Sequence, residues 1–194
     1  MSSPSLIVVL AEDKRHQQLI RRFLIRVGIQ RHQLFFQLSP SGRGSAEQWV
    51  RENFARQAAK CRARNARAST GMFVLVDADV RTVQERLDEL DRGLDAIGQP
   101  RVDPNRDPIA RVIPRRNIET WILLLSGPAS ARLEVNETQD YKQSKSAEDW
   151  SALIPAAAEA LFALTRPSIA PPRTMIDSLR RGIREISRAI PTGS

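Results

Sequence analysis

Long apolar runs are missing from this 194-residue chain. No stretch approaches the roughly 18 residues that a membrane-spanning helix needs, so no membrane association is expected. Cysteine is nearly absent. Cys61 alone excludes an internal disulfide framework and a cysteine-rich zinc site. His16 and His32 are too few for a histidine-rich metal centre. The single tyrosine, Tyr141, lies in a polar stretch that reads as loop, which argues against a tyrosine nucleophile. No glycine-rich phosphate loop occurs, which argues against an enzyme of free nucleotides. The opening MSSPSLIVVLAEDKR has no basic n-region, and its apolar run ends at Glu12-Asp13. A secretory signal is therefore not expected, and the cytoplasm is the expected address.

What is abundant is positive charge. Thirty Lys and Arg stand against 22 Asp and Glu, for a net charge of +8, and most of the cations are arginine. Arg presents a planar, two-pronged donor set that matches phosphate, so the excess suits a polyanion. Arginine-rich codon usage would give the same composition.

Short β-branched runs alternate with helical spacing. Leu6–Leu10, Leu34–Leu38, Met72–Val76 and Ile109–Ile113 read as strands. Leu19, Ile20, Phe23, Leu24 and Val27 line a basic helix that stops at Gly28. Ser39 to Gly44 is rich in turn residues. Ser45 with Gln48 opens a helix carrying Trp49, Val50, Phe54, Ala58 and Cys61, and Thr82 with Glu85 opens another that stops at Gly98. Asn117 leads into a buried helix over Ile118–Leu125. Residues 127–150 are polar and irregular. Two helices finish the chain, over Ala152–Leu164 and after Pro171-Pro172. This order predicts an α/β fold, a Rossmann-like central parallel sheet flanked by helices, with a helical C-terminal extension. The expected division is an α/β domain at 1–126 and the helical extension at 127–194.

In open parallel sheets, sites form beyond the carboxyl ends of the strands. Glu12 and Asp13 follow the first strand, Asp77 and Asp79 the third, and Glu119 the fourth after a short turn. Carboxylates gathered at one sheet edge repel one another unless a divalent cation neutralises them. Oxygen ligands select Mg²⁺ or Mn²⁺. Capping is the competing role: Asp79 for the Thr82 helix, Asp13 for the first helix. Metal binding is the reading favoured for Glu12 with the Asp77-X-Asp79 pair. Glu119, among Ile118, Trp121 and Leu123–Leu125, is either buried with a purpose or its helix's wet position.

These residues resemble toprim domains, the catalytic fold shared by topoisomerases, primases and the nucleases of the overcoming-lysogenization-defect type. Val8-Val9-Leu10-Ala11-Glu12 is similar to their first element, and Val74-Leu75-Val76-Asp77-Ala78-Asp79 to their second. Ile113 to Ile122 (IPRRNIETWI) is similar to the acidic-X-Trp segment of small toprim-like proteins of prokaryotic defence loci. The resemblance spans roughly residues 5–125. It implies metal-dependent phosphodiester chemistry on DNA or RNA, with Glu12 as general acid/base or metal ligand, Asp77 and Asp79 holding Mg²⁺, and Glu119 as an added ligand. Two positions depart from it. Asp13 stands where toprim sequences place Gly, and His16 where they place a carboxylate. His16 then faces a phosphate or, as for most lone helical histidines, lies at the surface.

Arg115 and Arg116 precede Glu119 and would clamp a phosphate there, or else form a solvated turn. Arg62, Arg64, Arg67, Lys142, Lys145, Arg173, Arg180, Arg181, Arg184 and Arg188 would track a nucleic-acid backbone, although single charges of this kind are usually solvated. Trp49, Trp121 and Trp150 are expected in the core, and Cys61 is expected buried and inert. Two functions follow: a Mg²⁺-dependent nuclease serving anti-phage defence, or a non-catalytic toprim-like module docking on nucleic acid or a larger ATPase. Homo-oligomerisation is left open.

Overall fold

A computed structural model describes residues 4–40, 45–127, 135–166 and 175–190. The turn at 41–44, the Pro171-Pro172 helix start and Arg173 lie outside the described residues. The elements in chain order are β1 (Leu6–Ala11), α1 (Lys14–Val27), a 3-10 turn, β2 (Leu34–Leu38), α2 (Ala46–Asn65), β3 (Thr70–Leu75), α3 (Val83–Asp95), β4 (Ile109–Val112), α4 (Ile118–Ser126), α5 (Ala147–Leu164) and α6 (Asp177–Ala189). The four strands form one parallel sheet in the order β2-β1-β3-β4.

The two-residue period of the strands divides the core. Ile7, Val9, Ala11, Phe73, Leu75, Ala110 and Val112 pack with α1, α4, α5 and α6. Leu10, Met72, Val74, Val76, Ile109 and Ile113 pack with α2 and α3. Helices therefore cover both faces, which is why the central strands read as continuous apolar runs. α5 and α6 share one buried cluster with β1 through Trp150, Ile154, Leu161, Leu179 and Ile183. Among the described residues no helix is long and apolar enough to cross a membrane.

The helix ends follow from local chemistry. Asp13 is the N-cap of α1, accepting from the amides of Arg15 (2.9 Å) and His16 (3.0 Å). Its backbone is extended (φ −142°), so this strand-to-helix turn does not require the glycine of the toprim pattern. Gly28 closes α1 in the left-handed region (φ 106°), as its position predicted. Thr82 and Glu85 form the expected capping box, and Thr82, rather than Asp79, caps α3.

α5 begins five residues before its expected start at Ala152. A capping box between Ser146 and Asp149 nucleates it, and this polar first turn carries no apolar spacing to reveal it. Trp121 and Trp150 are fully buried, whereas Trp49 is only partly buried. Cys61 is buried as expected, and burial pushes its thiol up to about 11, which disfavours the reactive thiolate.

Two of the expected backbone-tracking arginines are structural. Arg62 pairs with Asp107 at 2.7 Å and donates to the carbonyls of Pro100 and Arg101. Arg188 donates to the Asp107 and Ile109 carbonyls at 2.6 Å, and Glu185 accepts from the Arg111 amide at 3.1 Å. Arg188 and Glu185, both on α6, thus bond backbone groups of β4 on its open edge, which would otherwise invite pairing with another strand.

Candidate metal centre

The strand order decides where the acids meet. The chain passes from β1 outward to β2, then returns to the other side of β1 as β3. β1 and β3 thus flank the reversal point, where crevices open at the carboxyl ends of a parallel sheet. The ladder runs on past Ala11, with the Glu12 amide donating to the Leu75 carbonyl at 3.1 Å. The Asp77 amide then donates to Glu12 Oε2 at 2.9 Å. Glu12 and Asp77, 65 residues apart, are joined directly.

His16 completes the group. It is fully buried in the first turn of α1, with Nε2 3.0 Å from Asp77 Oδ1 and Nδ1 2.8 Å from Asp13 Oδ1. A surface position for His16 is thereby excluded. Three side chains, Glu12, His16 and Asp77, offer ligand atoms all within 4.8 Å of one another. This triad can hold a metal ion. Of the expected ligands, Asp79 and Glu119 stand outside the triad.

Asp79 lies at φ 54°, a left-handed conformation that aspartate tolerates better than most residues. Its amide donates to the Arg116 carbonyl (3.2 Å), and the Ala78 amide to that of Pro114 (2.9 Å). Arg86, buried and paired with Glu47 and Glu89, donates to the carbonyls of Asp77 (3.1 Å) and Ala78 (3.4 Å). The loop bearing both aspartates is thus gripped from two sides.

Lys142 places its ammonium 3.3 Å from Asp77 Oδ2 and 3.8 Å from Asp79 Oδ1. Glu119 is fully buried in the first turn of α4, paired with Arg15 through Oε1, while its Oε2 has no hydrogen-bond partner among the described residues. Arg115 and Arg116 point elsewhere. Arg115 donates to the Arg81 carbonyl, and Arg116 approaches Asp140 at 3.4 Å.

The electrostatics are those of crowded acids. Burial, and then the Asp77 charge, raise the Glu12 carboxyl to about 7. The same two causes, in the same order, raise Asp79 and Glu119. Burial works against the His16 imidazolium, but Asp77 and Asp13 outweigh it and hold its pKa well above the usual histidine range. Burial likewise disfavours the Lys142 ammonium, and Asp77, Glu12 and Asp79 more than compensate. Burial would raise Asp13 too, but His16 keeps it well below the usual carboxylate range. The acids are therefore balanced by His16, Lys142 and Arg15. A carboxyl near neutrality can take or give a proton at working pH.

The sequence pointed to the acids, but it placed Lys142 along a nucleic-acid backbone and His16 at a phosphate or the surface, whereas both lie against Asp77. Asp13 and His16 are three residues apart, one helical turn, and that spacing was the available signal. Lys142 lies in an aperiodic stretch that carries no signal. No family model matches the chain, and no curated protein or solved structure matches it.

Proposed function

We propose that the chain is a metal-dependent, phosphodiester-cleaving nuclease with a toprim-type carboxylate centre, acting on DNA or RNA. The observation that carries this reading is the hydrogen bond joining Glu12, after β1, to Asp77, after β3. It ties the two halves of the acidic signature together at the reversal point of a parallel sheet. Glu12 and Asp77 would hold Mg²⁺ or Mn²⁺, and His16 would join them as a ligand only after losing its proton, since a metal-bound imidazole is neutral. Such an ion polarises a phosphoryl oxygen and lowers the pKa of bound water. Where Glu12 does not ligate the ion, its carboxyl, raised to about 7 by burial and the Asp77 charge, would take the proton. Asp79 and Glu119 add negative charge that favours the cation, and Arg86 fixes the Asp77 backbone. The resemblance to proteins of defence loci makes anti-phage defence the proposed setting.

One observation favours a non-catalytic module instead. Lys142 already supplies Asp77 and Asp79 with a cation. In that reading His16 and Lys142 replace the metal, and the protein docks on nucleic acid or a larger ATPase.

The test is incubation of the full chain with plasmid DNA, single-stranded DNA and structured RNA, in Mn²⁺, Mg²⁺ or EDTA. Cleavage of at least one substrate with metal, and of none in EDTA, is the expected result. Intact substrates throughout, with no thermal stabilisation by either metal, support the docking module.

A further inference from the structure

Away from the carboxylates, an arginine-rich cleft lies where α3 starts against α6. It has a volume of about 340 Å³ and is lined by Thr82, Gln84, Arg115, Arg180, Arg181 and Arg184. Glu137 and Asp177 also border it, so four guanidiniums face two carboxylates. Glu137 is engaged, accepting from the Ser178 amide at 3.2 Å. Among the described residues Arg181 donates to the neutral Gln84 side chain, at 3.3 Å. Arg184 is exposed and has no carboxylate within ion-pair distance among the described residues. Burial, together with the like charges of Arg111 and Arg184, lowers the Arg181 pKa, although Glu185 and Asp88 oppose this. At Arg181 and Arg184, positive charge has thus accumulated without a paired carboxylate among the described residues.

One loop connects the wall of the cleft to the acidic centre. Asp79 leads to Arg81, whose carbonyl accepts from Arg115, and then to Thr82, where α3 begins. The start of a 13-residue helix adds a partial positive charge to the same wall. A second cleft, between α1 and α5, is also basic, but two of its arginines are internally satisfied. There Arg26 pairs with Glu159 and stacks on Phe162, and Arg21 stacks on Phe36.

We propose that the cleft of Arg115, Arg181 and Arg184 binds a backbone phosphate of the nucleic-acid strand that is cleaved at the Glu12–Asp77 centre. Arg181 and Arg184 are three residues apart, on one face of α6, and present successive guanidiniums along the cleft. The substrate class rests on the nuclease reading above. The test therefore runs without metal, so that binding and cleavage can fail separately.

The probe is a fluorescein-labelled 20-nucleotide single-stranded DNA, followed by anisotropy in EDTA over a range of salt. The double variant Arg181→Ala/Arg184→Ala is expected to bind about tenfold or more weakly, with a salt slope shallower by about 0.7 for each phosphate no longer neutralised. Arg184→Gln alone, at an exposed position, is expected to show part of that weakening and keeps the test interpretable should the double variant fold poorly. Arg22→Ala/Arg31→Ala, on the far cleft, is expected to bind like the parent chain. Equal weakening in both double variants would mean diffuse surface attraction and overturn the site. An unchanged slope in Arg184→Gln and in Arg181→Ala/Arg184→Ala would also overturn it. If the parent chain ignores the oligonucleotide but is stabilised by inorganic phosphate through Arg184, the ligand is a free phosphate and the strand assignment falls.

Discussion

Asp77→Asn is expected to abolish metal-dependent cleavage, with a loss of about 1000-fold or more. The size follows from the several kcal/mol of charge stabilisation that a bound cation supplies, at about 1.4 kcal/mol per factor of ten. Asp77 is the hub of the centre: it meets His16 at 3.0 Å and Lys142 at 3.3 Å, and its amide holds Glu12 at 2.9 Å. Asparagine keeps the volume, the backbone donor to Glu12 and an oxygen facing His16. It removes one negative charge from a cluster that already holds Glu12, Asp79 and Glu119 above their ordinary pKa values. The fold should therefore persist, as circular dichroism would show, while cleavage and metal-induced stabilisation disappear together. A variant with full activity would remove Asp77 from the chemistry.

Gly182→Ala is expected to destabilise the protein, although alanine is the better helix former. A Cβ on Gly182 would lie 2.1 Å from Trp121 Cη2 and 2.9 Å from Cζ3. The Trp121 ring is fully buried and anchored by its indole N–H to Ser178 Oγ at 3.0 Å, so it cannot swing aside. Overpacking of this kind costs up to about 3 kcal/mol, and the gain in helix propensity returns about 1. The net loss of about 2 kcal/mol corresponds to a fall in Tm of about 4–8 °C for a domain of this size. Gly93→Ala in α3 is the control. Its Cβ meets Ala55 at an ordinary 3.8 Å, so the same substitution should raise Tm there. A stable Gly182→Ala protein would mean that α6 does not pack on α4 as described.

The fold was legible because four short apolar runs alternate with helical spacing, which only a covered parallel sheet satisfies. The sheet order was not legible. Nothing in the runs says that β3 returns beside β1, and that adjacency is what joins Glu12 to Asp77. The acids announced themselves because carboxylates directly after buried strands are costly unless they have partners. The partners were harder to see. His16 sits on an amphipathic basic helix, where one polar residue resembles the next until α1 is laid on the sheet and His16 meets Asp77 beyond β3. Lys142 reaches the site from a stretch without periodicity, and only tertiary structure brings it there. α5 began early because its first turn, Ser146 to Asp149, is held by side-chain caps rather than by apolar contacts.

The central claim is that Glu12 and Asp77 share a divalent cation. Anomalous diffraction from crystals of the full chain soaked in Mn²⁺ tests it most directly. One peak is expected, about 2 Å from carboxylate oxygens of both residues, with the Lys142 ammonium withdrawn from Asp77. Crystals showing no peak at that position, with Lys142 still about 3.3 Å from Asp77, would contradict it.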